Sequence, residues 1–130
     1  MDVLLDTNIV IGYLAGDPEI ALLFDAVAAG RITIGVSVVT EYELLRFPQL
    51  TPDQEVVILR LLNAIRVVDV NRRIAQRAAL LSREYRGTTT DLLLAATAMD
   101  NGVRFLTRNI RDFKKIHGLN LVGTVLEILS

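Results

Sequence analysis

Short apolar runs alternate with amphipathic segments along this chain. Val3, Leu4 and Leu5 form a run that stops at Asp6, and apolar positions then recur at helical spacing, at Ile9, Tyr13 and Leu14. A run so short, bounded by a polar cluster, predicts a buried strand feeding a helix from Thr7 to Ala15. Gly16 ends that helix, and Pro18 at a first-turn position opens a second one through Ala29, closed by Gly30. Arg31 to Val36 alternates Ile32, Ile34 and Val36 with Arg31, Thr33 and Gly35, the period of a strand. Ser37 starts a helix to about Phe47, where Pro48 stops it. Thr51-Pro52-Asp53-Gln54 joins an N-cap, a proline at N1 and a Gln at N3, a capping box announcing a helix to about Ile65.

The second half continues the alternation. Val67 and Val68, ended by Asp69, predict a third strand, and Asn71 caps a helix to about Tyr85, terminated by Gly87. Thr88 to Asp100 is helical in pattern, Gly102 closes it, and Val103, Phe105 and Leu106 predict a fourth strand ending at Thr107. A short helical turn from about Ile110 to Ile116, an edge strand over Leu119 to Val122 and a terminal helix over Thr124 to Leu129 complete the chain. Strands alternating with helices are the signature of βαβ units and a parallel sheet, an α/β fold, here with the first two helices inserted as an αα-hairpin. No internal repeat, low-complexity segment or linker interrupts it.

Composition narrows the class without naming a function. The 130 residues suit one domain over 1–130, with 52% hydrophobic and 22% charged residues, far from the composition of a disordered chain. No apolar run approaches the roughly 20 residues that span a bilayer, so no membrane partner is expected. The first residues carry acids and no positively charged n-region, against a secretory signal, and the absence of cysteine excludes disulfides and Cys-ligated zinc or iron–sulfur. A cytoplasmic home fits these features. A net charge of −1 argues against a protein that coats nucleic acid by bulk electrostatics. It leaves room for a local patch such as Arg104, Arg108, Arg111, Lys114 and Lys115.

Four carboxylates, Asp6, Glu43, Asp91 and Asp112, are the candidate chemistry. Each has a structural explanation. Thr40 with Glu43, Thr88 with Asp91 and Asn109 with Asp112 all have the spacing of a cap and its N3 acid, which satisfies backbone donors at a helix start. Glu43 stands apart, because Val39 and Phe47 at i−4 and i+4 place it within an apolar stripe. Topology favours a joint role. In a parallel sheet the carboxyl ends of strands and the N-termini of the following helices share one edge, where open α/β sheets place their ligands. Asp6 follows the first strand directly, Asp112 follows the fourth by a short loop, and Glu43 lies in the helix after the second. Asp91 is the exception, since its helix follows another helix.

Carboxylates gathered without basic partners repel one another and resist ionisation unless a cation neutralises them. An all-oxygen set with no Cys and a single His selects a hard cation, Mg²⁺ or Mn²⁺, held by few carboxylates and several waters. Asn8, Thr107 and Asn109 supply further neutral oxygens. Such a site suits phosphodiester hydrolysis, in which the metal stabilises charge on the phosphoryl oxygens and lowers the pKa of the attacking water. Few aromatics and no tryptophan argue against extensive base stacking, so recognition would lean on backbone and shape.

Four segments in order resemble the PIN domain family: Leu4-Leu5-Asp6-Thr7-Asn8, Ser37 to Leu44, Asp91 to Ala98, and Thr107 to Phe113. The compact length is similar to that of VapC-type toxins of toxin–antitoxin pairs. The resemblance implies a three-layer α/β/α fold around a central, mostly parallel sheet of four to five strands. It implies a Mg²⁺- or Mn²⁺-dependent endoribonuclease with Asp6, Glu43, Asp91 and Asp112 as its acidic quartet, and it selects Glu43 over Glu41, which spacing leaves open. By the same analogy Thr107 and Asn109 support the site. It further implies a homodimer and a small antitoxin that inserts a basic side chain among the acids. Ile11, Leu14, Leu22 and Phe24 are candidate partner surfaces, with core packing the expected fate of most of them.

The sequence admits two other readings. A phosphoacceptor receiver-like domain would use Asp69 at its strand end, yet it wants an acidic pair where Asp6 is followed by Thr7, and a lysine after the last strands where Lys114 falls in a helix. A non-catalytic interaction module would use the acids only as helix caps. Asp69 as a turn residue, His117 as a surface residue, and Tyr13, Tyr42 and Tyr85 as core or interface residues are left out of the site.

Overall fold

Val3 and Leu5 point to one side of the first strand and Leu4 to the other, and all three are fully buried. A strand covered on both faces belongs in the middle of an α/β sheet. The computed structural model describes residues 1–130 and places it there. β1 (Val3–Leu5), β2 (Ile34–Ser37), β3 (Arg66–Val68), β4 (Arg104–Leu106) and β5 (Leu121–Val122) form one sheet in the order β3-β2-β1-β4-β5. Every neighbouring pair is parallel, with Leu4 opposite Gly35 on one side and Phe105 on the other.

Eight helices cover the two faces: α1 (Thr7–Leu14), α2 (Pro18–Ala28), α3 (Val38–Leu45), α4 (Pro52–Ala64), α5 (Arg72–Glu84), α6 (Thr89–Asn101), α7 (Ile110–Phe113) and α8 (Val125–Leu129). On one face Val3, Leu5, Val36 and Leu106 meet Ile9 of α1, Leu23 of α2, Leu62 of α4 and Ile128 of α8. On the other, Leu4 and Phe105 meet Ile74 and Leu81 of α5, Leu94 of α6 and Phe113 of α7. The resulting three-layer α/β/α sandwich is the architecture expected from the sequence. No helix is long and apolar enough to cross a membrane.

Local chemistry explains the boundaries. The Thr51–Gln54 capping box is present in both directions, the Thr51 hydroxyl accepting from the Gln54 N–H and the Gln54 side chain accepting from the Thr51 N–H. Gly102 ends α6 at φ 63°, a left-handed conformation that residues with a Cβ rarely adopt. Gly12 lets α2 approach α1, since a Cβ there would stand 2.6 Å from Ile20 Cδ1. The second strand departs from expectation. It begins at Ile34 rather than Arg31, and all four of its residues are buried, so alternation over 31–36 was not its signal. An interior strand has no solvent face to alternate with.

Two of the three expected cap pairs do not cap their helices. Ser37, not Thr40, caps α3, accepting from the Val39 N–H, and Thr40 lies buried inside the helix. Asn109 caps no backbone group of α7. Core packing claims only Phe24 of the four early apolar residues, stacked on Tyr13 with ring centroids 3.7 Å apart. Ile11, Leu14 and Leu22 are exposed.

Candidate active site

Asp6 leaves β1 at the carboxyl edge and occupies the N-cap position of α1, yet its side chain closes no capping hydrogen bond. It is 4% exposed. Its Oδ2 accepts the Thr107 hydroxyl at 2.6 Å, so the residue just after β4 holds the residue just after β1. Thr107 Oγ1 also accepts the Asn109 N–H, fixing the loop that leads to α7.

Thr7 carries the next link. Its hydroxyl donates to Glu43 Oε1 at 2.6 Å and lies 2.8 Å from Thr40 Oγ1. A hydroxyl has one proton to give, so Thr40 must donate to Thr7, and the chain runs from Thr40 through Thr7 to Glu43. Thr40 and Glu43, one turn apart on α3, thus face α1. This explains why Glu43 rather than Glu41 turns toward Asp6.

Asp91 reaches the same edge by a route that the order of elements contains. α6 passes through Gly102 into β4, which joins a parallel sheet. A helix leading into such a strand runs antiparallel to it, so its first turn starts at the strand's carboxyl end. α6 also packs against α3. Thr88 caps α6 by accepting the Asp91 N–H at 3.0 Å, so here the expected cap is real. The Asp91 carboxylate remains half-buried and makes no ion pair.

Asp6, Glu43 and Asp91 line one cavity of about 240 Å³, together with Thr7, Asn8, Ile11, Arg46 and Phe47. Asp112 is not among the lining residues. It is exposed on α7, where Asn109 Nδ2 donates to its Oδ2 at 2.7 Å, and its charge acts on Asp91. The structure therefore brings three acids to one cavity and the fourth to its neighbourhood. Nowhere are three Asp, Glu, His or Cys side chains gathered closely enough to hold an ion between them alone.

Electrostatics separate these acids from ordinary surface carboxylates. Burial pushes the Asp6 carboxyl up from its ordinary value, opposed by the Thr107 hydroxyl, and the charge of Glu43 pushes it further. The backbone N–H groups of Thr7 and Asn8 favour its charged form. Asp91 is likewise raised, first by burial, then by the charges of Asp6 and Asp112, with Glu43 adding less. Ion pairs join only Arg73 to Asp100 and Arg108 to Asp17 and Glu19, so no base neutralises a site acid. Hard oxygen donors, unpaired charge and no soft ligand fit a divalent cation held by two or so carboxylates and waters.

The basic stretch beside Asp112 divides. Arg108 binds Asp17 and Glu19 at the start of α2, which holds the Asp17 carboxyl down at about 2. Glu19 Oε1 in turn accepts the Val125 N–H that opens α8. Arg108 thus ties the loop after β4 to two helices and is not free to track a phosphate backbone, whereas Arg111, Lys114 and Lys115 are exposed. Asp69 and His117 are exposed as expected, Asp69 following the edge strand β3, with β2 between it and β1. Sequence reasoning passed over Thr7, Thr40, Arg46 and Phe47. The signal for Thr7 was its adjacency to Asp6, and for Thr40 its place one turn before Glu43.

Known proteins resemble this chain in sequence and fold. Over 34 residues the chain is 50% identical to Ribonuclease VapC1 of Rickettsia felis, a match taking in 26% of this chain and 25% of that protein's length. A toxin–antitoxin complex from Klebsiella pneumoniae superposes with a TM-score of 0.77 at 28% identity, over 94% of this chain and 97% of that one. DNA-bound VapBC from Salmonella typhimurium gives 0.80 at 24% identity, again over 94% and 97%, a likeness of fold. The PIN domain profile matches residues 3–119, from β1 to the turn before β5 and through all four acids, and the chain therefore belongs to the PIN domain family.

Proposed function

We propose that this chain, as one domain over residues 1–130, is a divalent-cation-dependent endoribonuclease, the toxin of a toxin–antitoxin pair. One observation carries the reading: Asp6 and Asp91, raised by burial and by the charges around them, share a cavity at the carboxyl edge with Glu43 and without a paired base. Leaving carboxylates in that state is costly unless a cation relieves them. Likeness to Ribonuclease VapC1 supports the substrate, and likeness to a toxin–antitoxin complex supports the biological role.

Asp6 and Asp91 would hold Mg²⁺ or Mn²⁺, with Glu43 and Asp112 adding to the negative field. The cation, when bound, supplies charge stabilisation at the phosphoryl oxygens and acidifies the attacking water. The protein contributes position. Thr107 fixes one Asp6 oxygen, and Thr7 takes Glu43 Oε1, leaving Oε2 to accept a proton from the attacking water. Asn109 holds Asp112 on the loop that Thr107 anchors, and Asn8 stands at the cavity wall. An inhibitory antitoxin, a homodimer and a cytoplasmic location belong to the same reading. The exposed apolar residues Ile11, Leu14 and Leu22 suit covering by partner chains.

The test is incubation of purified protein with structured RNAs, with and without Mg²⁺ or Mn²⁺, beside the Asp6→Ala and Asp91→Ala variants. Divalent-dependent internal cleavage that both substitutions abolish is expected. Equal cleavage in chelator would overturn the mechanism.

A further inference from the structure

Arg46 is the only cation lining the acidic cavity, and it pairs with none of the acids there. It ends α3 as the C-cap residue, one turn beyond Glu43, whose Oε1 is already taken by Thr7. The guanidinium instead lies over the ring of Phe47, 5.9 Å from its centroid. Phe47 is itself 52% exposed. An exposed arginine or an exposed phenylalanine alone is ordinary. Here the two are adjacent, touch one another, and both stand at the wall of the cavity that holds Asp6 and Asp91. Phe47 and Ile11 are also shared with an adjoining apolar groove of about 690 Å³ that runs past Leu14 and Leu50 to Val57.

An acid-lined cavity repels the polyanion it is proposed to cleave, so a cation at its mouth has a clear use. The guanidinium's donor fork suits a phosphate. An aromatic face beside it suits a base, because base–aromatic stacking needs no particular sequence. Stacking also needs an unpaired base, since the bases of a duplex already stack on one another.

Resting on the nuclease reading, we propose that Arg46 and Phe47 form a nucleotide-holding arm for single-stranded RNA. Arg46 takes a phosphate next to the scissile one, and Phe47 stacks on the neighbouring base. The arm places one flanking nucleotide against the wall and so aligns the chain over Asp6 and Asp91. A substrate with a base-paired flank cannot offer that base and is held by Arg46 alone.

The test is equilibrium binding of a single-stranded RNA carrying 2-aminopurine, with Ca²⁺ in place of Mg²⁺ to suppress turnover, followed by steady-state cleavage with Mg²⁺. Phe47→Ala weakens binding about tenfold and abolishes quenching of the fluorescent base, with the salt dependence unchanged. Phe47→Trp restores both. Arg46→Ala keeps the quenching but flattens the slope of log affinity against log salt by about 0.7, the loss of one phosphate contact on a single strand. Both side chains are exposed, so the variants melt as the wild type does, and a duplex of the same sequence is insensitive to Phe47→Ala. Wild-type affinity, quenching and salt slope in both variants would overturn the arm. Cleavage with unchanged KM in the variants would overturn it while leaving the nuclease standing. Quenched binding by a wild type that cleaves no RNA with Mg²⁺ or Mn²⁺ would retain the arm and remove the hydrolase.

Discussion

Thr107 gives its hydroxyl proton to Asp6 across 101 residues of chain, joining the ends of the two central strands β1 and β4. Thr107 is fully buried and its oxygen also accepts the Asn109 N–H. Thr107→Val keeps the shape and removes both bonds, taking one hydrogen-bond partner each from Asp6 and the Asn109 N–H. Denaturant unfolding should show a loss of about 1 to 3 kcal/mol. Thr107→Ser should recover most of it. Without the hydroxyl, which holds Asp6 down, its carboxyl rises further, so the acid limb of divalent-dependent cleavage moves to higher pH.

Asp91→Asn separates stability from function. Asp91 is raised by burial and by three neighbouring acids, so neutralising it removes repulsion in the cation-free protein. Thermal unfolding in chelator at neutral pH should rise by a few degrees. Cleavage should fall by more than the about 10- to 100-fold that loss of an outer partner of a metal brings. The stabilisation that wild type gains from added Mg²⁺ should shrink with it.

The pH dependence of stability in chelator has a defined sign. Asp6 and Asp91 lie above the ordinary value of 3.8 when folded, so between that value and their raised ones the folded chain binds more protons than the unfolded. Their contribution to stability therefore grows as pH falls through their raised values toward 3.8, and in that window they oppose the acid destabilisation of the rest of the chain. Asp17 acts oppositely. Held at about 2 by Arg108, it contributes stability above 3.8 that is lost as pH falls toward about 2. A melting series taken from neutral pH down to about 3.8 in which Asp6→Asn and Asp91→Asn follow the wild-type profile throughout would contradict this assignment.

Arg108→Ala should behave as a structural variant. It leaves Asp17 and Glu19 without their shared base and loosens the link between the loop after β4 and the start of α2. The pair is partly exposed, so the melting temperature should drop by only a few degrees. The salt slope of RNA binding should not change, in contrast to Arg46→Ala.

The chain's own order of residues decided its elements and much of its candidate site. Proline, glycine and cap residues mark boundaries through backbone chemistry that acts within a few positions, which is why Thr51 with Gln54, Asn71, Thr88 and Gly102 were all legible. The placement of Asp6 after a short apolar run was legible for the same reason, and the path of Asp91 was contained in the helix-to-strand order of α6 and β4. The second strand was not legible at its true start, because an interior strand buries every position and shows no period.

Tertiary structure alone decided which groups serve which acid. Setting β1 between β2 and β4 brought Thr107 to Asp6, and seating α1 beside α3 drew Thr40, Thr7 and Glu43 into one line. It also took Arg108 away to Asp17 and left Arg46 at the cavity. Hydrophobic periodicity encodes which face of an element is buried but not which element covers it, and hydrogen bonds between residues 33 to 101 positions apart exist only once that packing is complete.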